Sequence, residues 1–267
     1  MAENYLINGD FRINQRNEKS YDVFNKHSVD RWHVGGHCKV EVNDDGTVTV
    51  TNLSAKEGSY TTFTNILEED ISGVPVVASV CFGNGVVVSG KAVAEKKFNF
   101  IEVPYKNARL KVYWSNNIPR YAVTVYVCGP KQSVTIKWVK LEFGHEMTPF
   151  YPKATVREMN DCLRYYQVFK PEDNGTICSL VATEKDRLEG VIPKYVPMRH
   201  NGIAGFKGEL FAVLGKNRIK LENVELLTTQ SAIQLKCSAK GVKKGCSYLL
   251  KGDKDAQIFV DAELRHE

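Results

Sequence analysis

The sequence lacks any long apolar run. No stretch of the 267 residues approaches the eighteen or more apolar positions that a membrane-spanning helix needs, so we expect no membrane insertion. The first residues, MAENYLINGDF, lack both the basic and the apolar region of a standard secretion signal, and we expect none. A hydrophobic content of 43% with 25% charged residues also argues against extended disorder.

The sequence has little that would bind a metal through sulfur or a nucleic acid through charge. Its seven cysteines are an odd number at irregular spacings, without a C-x-x-C pair or a Cys/His cluster at zinc-ligand spacing. We therefore predict reduced, mostly buried thiols in a protein that folds in a cytosol. The net charge of +5 comes without a basic run, which argues against nucleic acid as the main partner.

Motifs of catalysis are also missing. The sequence has no G-x-S-x-G elbow, no H-E-x-x-H and no nucleotide-binding glycine loop. His33 and His37 are four apart, but Gly35 and Gly36 between them make a metal-binding helix unfavourable. Paired carboxylates such as Asp44-Asp45 lie in polar, turn-like segments, where a solvated face is the simpler interpretation. We predict that the protein is not an enzyme.

Alternating apolar and polar residues dominate the chain on both sides of a central segment. About eight or nine short strands before residue 150, separated by turn residues, predict an antiparallel jelly-roll β-sandwich over residues 1–150. A second set of strands predicts a smaller β-sandwich over residues 171–267. The fold class is therefore all-β, with two β-domains.

The segment between the two β-domains, residues 151–170, is predicted to be a linker with one short helix. Pro149 and Pro152 exclude regular structure before it, and Thr155 with Glu158 has the spacing of a capping box. Apolar residues then follow every three or four positions, which predicts one apolar stripe on the helix: Val156, Met159, Leu163 and Tyr166.

Two sets of motifs carry resemblances to known families. N-Y-L-I-N-G-D-F (4–11), D-R-W (30–32) and I-K-W-V-K-L-E-F-G (136–144) resemble the galactose-binding-like jelly rolls typified by carbohydrate-binding modules. L-E-F-G-H-E-M-T-P-F (141–150), C-L-R-Y-Y-Q (162–167), V-P-M-R (196–199) and D-A-E-L (261–264) are similar to tail-fibre and receptor-binding proteins of tailed bacteriophages.

The second resemblance implies a virion component, assembled in the host cytoplasm and located in a tail fibre, a baseplate or a head fibre. It also implies a homotrimer, with the N-terminal jelly roll followed by the helix and a C-terminal head domain, in contact with other virion proteins and with bacterial surface glycans. The stripe of the helix would then be the three-fold contact, although it could equally pack on its own domain. Two other functions stay open: an adaptor or head-fibre protein that binds only another viral protein, and a polysaccharide depolymerase.

A cluster of aromatic and polar residues at a predicted turn is the candidate ligand contact. Sugars are held by aromatic faces and planar polar side chains, and this turn has both types. The alternative is that Trp114 closes the edge of the sandwich. The candidate ligand-binding residues are Tyr113, Trp114, Asn116, Arg120 and Tyr121.

Two tryptophans are assigned to the core instead. Trp32 follows a polar loop and is predicted to anchor the core. Trp138 alternates with Val134 and Ile136, which predicts that it lies in the core with them. The resemblance to carbohydrate-binding modules implies one possible cofactor, a structural calcium near the first strand. The residues that could serve it are Asn8, Asp10 and Asp30.

Overall fold

A computed structural model describes residues 3–117, 119–171 and 175–263 of the chain. It confirms the all-β class, since these residues form twenty strands and a single helix. The chain divides into two compact units. Among the described residues, unit 1 ends at residue 162 and unit 2 comprises residues 163–263, so the division falls inside the predicted linker.

The described part of unit 1 forms one sheet and the helix. Its elements in chain order are β1 (Ser20–His27), β2 (Trp32–Val42), β3 (Val48–Asn52), β4 (Tyr60–Ile66), β5 (Pro75–Phe82), β6 (Val87–Val93), β7 (Ile101–Tyr105), β8 (Ala108–Ser115), β9 (Arg120–Cys128), β10 (Ser133–Phe143) and α1 (Thr155–Leu163).

The strands of unit 1 surround a single core. They are hydrogen-bonded in the order β6-β5-β10-β3-β2-β4-β9-β8-β7, and β1 adds to β2. The core side chains come from one face of every strand, as the two-residue period of a strand requires. Trp32 lies at the centre of this core, fully buried and stacked on Phe63 at 4.5 Å between ring centroids. The prediction for Trp32 is therefore confirmed.

The N-terminal segment, residues 4–11, forms a turn and contains no strand. Asn8 and Phe11 have φ angles of 57° and 61°, in the left-handed region rather than the extended region of a regular strand. The segment is nevertheless fixed to β10: the Asn4 side chain donates to Val139 O at 2.9 Å and accepts from Leu141 N at 3.0 Å. It supplies a fully buried side chain, Leu6, to the core.

A β-bulge changes which residues of β10 face the core. The register of β10 with β5 shifts between Ile136 and Trp138, so the extra residue reverses the alternation. Val139 and Leu141 are fully buried beyond the bulge, whereas Trp138 is only partly buried and stacks on Phe150 at 4.8 Å. The prediction that Trp138 shares the core face of Val134 and Ile136 is wrong for this reason.

A buried ion pair follows the bulge on β10. The Lys140 ammonium donates to Glu142 Oε2 at 2.8 Å, and both side chains are at most 1% exposed. Thr148 completes the arrangement, because Lys140 also donates to its Oγ1 at 2.7 Å and Thr148 N donates to Glu142 Oε1 at 2.9 Å. The pair thus holds the segment after β10 against the sheet.

The helix α1 does not begin with the predicted capping box. Glu158 N bonds to Ala154 O at 3.0 Å, so Thr155 lies within the first turn and its hydroxyl accepts from Arg12. The Glu158 carboxylate accepts from the backbone N–H of Asn8. The Glu158 carboxylate, which the local pattern assigns to the helix end, therefore makes a tertiary contact instead.

The predicted apolar stripe of α1 is not the face that packs. Glu158 and Cys162 are the buried residues of the helix, Val156 is 74% exposed, and Met159 and Leu163 are partly buried. Tyr166 lies outside the helix, in β11 (Tyr166–Phe169), where it is buried. The helix is nine residues long, too short for the four positions to form one stripe.

We expect substitution of Glu158 by glutamine to stabilise unit 1 increasingly as the pH rises. Burial raises the pKa of the Glu158 carboxyl; the Asn8 N–H and Lys153 oppose this, while Asp10 and Asp161 add to it. A carboxyl group whose pKa is raised in the folded state lowers the free energy of unfolding at pH values above its unfolded-state pKa of about 4.3. Glutamine keeps an oxygen for Asn8 N without the buried charge. Urea unfolding of both proteins between pH 4.5 and 8 checks this, and parallel pH profiles would contradict it.

The described part of unit 2 contains two sheets around a second core. One sheet has the order β11-β20-β14 and the other β16-β15-β19-β12-β13-β18-β17. The remaining strands are β12 (Cys178–Glu184), β13 (Arg187–Pro193), β14 (Ile203–Lys207), β15 (Leu210–Leu214), β16 (Asn217–Lys220), β17 (Glu222–Thr228), β18 (Ala232–Ser238), β19 (Ser247–Gly252) and β20 (Gln257–Asp261).

The core of unit 2 lies between these sheets. Leu180, Leu188, Leu235 and Leu250 of the seven-stranded sheet are fully buried, as is Ile258 of the three-stranded sheet. The last residue of the D-A-E-L motif, Leu264, lies outside the described residues. No helix in the described part of the chain has the length and apolar character needed to cross a bilayer.

Candidate functional site

The predicted aromatic cluster is divided between the two faces of the sheet. Trp114 pairs directly with Tyr121, and both belong to the core side, where Tyr121 is fully buried. Tyr113 pairs with Ala122 and lies on the outer side. Adjacent residues of a strand point to opposite faces, so this cluster cannot form one binding platform.

The polar residues of the cluster do not complete a single binding site either. Asn116 is exposed at the β8–β9 turn, and Arg120 donates to the backbone carbonyl of Glu68. Trp114 is half-buried, with its ring edge-on to Tyr121 at 4.9 Å and the Lys96 ammonium 4.9 Å from its centroid. The alternative interpretation, in which Trp114 closes the sandwich edge, agrees with this geometry.

Tyr113 instead belongs to a groove on the outer face of β2, β4, β8 and β9, beside β1. The groove has a volume of about 500 Å³. The residues that line it come from five strands that are far apart in the sequence: Phe24, Asn25, His33, Gly35, Gly36, Tyr60, Thr62, Thr64, Tyr113 and Tyr126. It is the candidate functional site of unit 1.

The floor of the groove is made of small polar side chains. In the register, His33 pairs with Thr64 and Gly35 with Thr62, while Thr64 pairs with Thr124 on the next strand. The hydroxyls of Thr64 and Thr124 are hydrogen-bonded at 2.9 Å. β-branched threonines are favoured in strands, and here they place hydroxyl groups along the bottom of the groove.

The walls are aromatic. Phe24 and Tyr60 are 62% and 59% exposed, and the Tyr60 ring lies 5.4 Å from that of Tyr126. The Lys111 ammonium lies 4.9 Å from the Tyr126 centroid. Burial raises the pKa values of both Tyr113 and Tyr126, so both phenols stay protonated and can donate hydrogen bonds at neutral pH.

Two glycines keep the groove open at the β1 side. A Cβ atom on Gly35 would lie 2.3 Å from the Thr62 hydroxyl, so only glycine fits above this part of the floor. Gly36 has a φ of 83° and donates its N–H to Asn25 Oδ1 at 2.9 Å, at the bulge where the register of β1 with β2 shifts. The Gly-Gly pair therefore shapes the site.

The residues considered for calcium are engaged in other contacts. The Asn8 side chain accepts a backbone N–H five residues on and donates to Asp30 O at 3.0 Å. The Asp30 carboxylate is buried and paired with Arg16 at 3.0 Å, and Asp10 is paired with Arg12. Within residues 3–117, 119–171 and 175–263, no group of three or more His, Cys, Asp or Glu side chains could hold a metal ion.

No family model matches the chain, and no curated protein matches its sequence. What the groove can do therefore follows from its chemistry. Its ten lining residues combine four aromatic rings with hydroxyl, amide and imidazole groups and include no carboxylate. Such a surface can bind a ligand that has both an apolar face and a rim of polar groups.

The sequence contained a signal for this groove in the strand Y-T-T-F-T. Tyr60, Thr62 and Thr64 alternate with the buried Phe63, so one face of β4 was marked as polar and aromatic. The neighbouring strands carry no comparable local signal. Which of their residues join Tyr60 depends on the order of strands in the sheet, which no local pattern gives.

Proposed function

We propose that this protein is a non-enzymatic binding protein whose unit 1 holds a glycan in the aromatic groove. The observation that carries the proposal is the combination of exposed ring faces with a floor of hydroxyls. A pyranose has C–H bonds on its ring faces, which pack on aromatic rings, and hydroxyls at its rim, which exchange hydrogen bonds with threonine, tyrosine and amide groups.

We further propose that the protein acts as a component of a tailed-bacteriophage virion, a fibre or receptor-binding protein that contacts glycans of the bacterial surface. The motifs shared with such proteins at 141–150, 162–167 and 196–199 support this, as does the all-β fold in two units. A homotrimer that also contacts other virion proteins, and assembly in the host cytoplasm, belong to the same proposal.

Replacing Tyr126 by alanine is expected to weaken glycan binding about tenfold, because one ring face of the groove is lost. Binding of the wild-type chain is first identified on a glycan array and on whole host cells, and the affinity of the variant for the selected glycan is then measured by calorimetry. Tyr151→Ala is the matched control, since Tyr151 is 56% exposed in unit 1 and lies outside the groove.

Three results distinguish the candidate functions. Equal losses in Tyr126→Ala and Tyr151→Ala would remove the groove as the site. Absence of binding to any glycan or host strain would favour the adaptor or head-fibre alternative, in which the partner is another viral protein. Shortening of host capsule on incubation with the wild-type chain would favour the depolymerase.

A further inference from the structure

The outer face of the seven-stranded sheet of unit 2, opposite to its core, carries an unusual number of exposed aliphatic side chains. Val181, Val191, Leu227 and Leu249 are 47%, 56%, 54% and 42% exposed. They alternate with the buried residues of their own strands, so all four point away from the core. Scattered apolar residues need no explanation, but a set on one face indicates a contact surface.

The strand register places most of these residues in one row. Val213 pairs with Leu249, and Leu249 with Ser179. Leu180 pairs with Gly190, which puts Ser179 beside Val191, and Gln234 pairs with both Val191 and Leu227. The aliphatic row therefore crosses six neighbouring strands, from β15 to β17. We define this row as Val213, Leu249, Ser179, Val191, Gln234 and Leu227.

The two ends of the aliphatic row have opposite charge. At the β15–β16 end, Arg218 pairs with Val213 and lies 3.6 Å over the Phe211 ring, and Lys251 pairs with Phe211. At the β17 end, the row beside Val181 contains Glu189 and Glu225 on either side of Lys236. The basic end and the acidic end thus lie on one surface of the same sheet.

We propose that this face binds a second copy of this chain, sheet against sheet. A two-fold axis in the plane of the contact and parallel to the strands puts the aliphatic rows together and brings Arg218 of each copy near Glu225 of the other. Facing sheets of separate copies then pack as the two layers of a sandwich do. A surface with only one charge sign would not be self-complementary in this way.

The size of the face sets the expected strength of the contact. Seven strands at about 4.8 Å, with lengths of roughly 13–23 Å, give an area on the order of 500 Å² in each copy. Stable contacts bury about 600 Å² or more in each partner, so the area of this face lies below that range. We therefore expect a reversible association with a Kd in the micromolar range.

Sedimentation of the full chain over a range of concentrations tests the proposal. The mass of the wild-type assembly is expected to increase with concentration, and Val191→Lys to weaken this association tenfold or more, because it places a charge in the centre of the aliphatic row. Ile203→Lys is the matched control: Ile203 is 62% exposed, lies on the other sheet and pairs with Asp261, beside which a lysine is favourable.

Charge reversal tests the orientation independently of folding. Arg218→Glu and Glu225→Arg should each weaken the association, and the double variant should recover most of it, since opposite charges again meet. A wild-type chain that stays monomeric at about 100 µM overturns the proposal, as does an oligomer unaffected by Val191→Lys. A trimer that only Leu163→Asp dissociates also overturns it, because the contact then lies at α1. Glycan binding by unit 1 is measured separately and is decided by Tyr126→Ala.

Discussion

Glu142→Leu is expected to lower the free energy of unfolding of unit 1 by about 3–5 kcal/mol, because it leaves the Lys140 ammonium as an unpaired buried charge. The two side chains are 2.8 Å apart and almost fully buried, so water cannot replace the lost partner. Thr148 would lose its acceptor as well. The acceptors that Lys140 keeps, the Thr148 hydroxyl and the carbonyls of Thr148 and Pro149, are neutral and do not balance its charge.

The measurement can be confined to unit 1, because Trp32, Trp114 and Trp138 all lie in it. Urea unfolding followed by tryptophan fluorescence therefore reports on this unit even if unit 2 unfolds separately. The control is the double variant Lys140→Met with Glu142→Leu, which removes both charges and should recover most of the loss. If the single variant is no less stable than the double variant, the pair is not coupled.

The same ion pair predicts a loss of stability in acid. Burial opposes ionisation of Glu142, but the bonds from Lys140 and Thr148 outweigh it and lower the pKa of this carboxyl. The stabilisation that the Glu142 carboxylate gives is therefore complete above its unfolded-state pKa of about 4.3. It is lost as the pH falls through the pKa of the folded state. The free energy of unfolding of Glu142→Gln, measured by urea unfolding, should fall less than that of the wild type as the pH is lowered.

Trp32→Ala is expected to destabilise unit 1 by about 3–5 kcal/mol through the cavity it leaves in the core. The ring is fully buried between Phe63 and Phe11, at 4.5 and 5.3 Å between centroids. Its Nε1–H also donates to Asn8 O at 2.8 Å, so the substitution removes one of the hydrogen bonds that hold the N-terminal turn on the core.

Trp32→Phe separates these two contributions. It keeps most of the ring volume and loses the hydrogen bond to Asn8, for which we expect about 1–2 kcal/mol. The fluorescence of Trp114 and Trp138 follows unfolding in both variants. Equal destabilisation by alanine and phenylalanine would mean that the hydrogen bond, rather than ring packing, fixes this part of the core.

The fold class was predictable because it rests on local alternation. Val48 and Val50 of β3 alternate with threonines, which is the local pattern that predicts a strand, and a single aromatic residue after a polar loop predicts the buried Trp32. These features depend on residues within a few positions of each other.

Errors arose where a single residue or a distant contact changed the local pattern. The bulge before Trp138 reversed the alternation of β10, and nothing in its sequence marks the extra residue. Glu158 had the spacing of a helix cap, but Asn8, 150 positions away, binds its carboxylate. The predicted ligand site combines Tyr113 with Trp114, although adjacent strand residues face opposite sides of the sheet.

The contact between the N-terminal turn and β10 has a consequence for the order of events during synthesis. Asn4 and Val139 are 135 positions apart, so the ribosome must release nearly all of unit 1 before the turn finds its partner. At about 5–20 residues per second, the first residues wait for roughly 7–27 s. Such distant closure predicts slow folding, and Leu6 spends this interval without the core that later buries it.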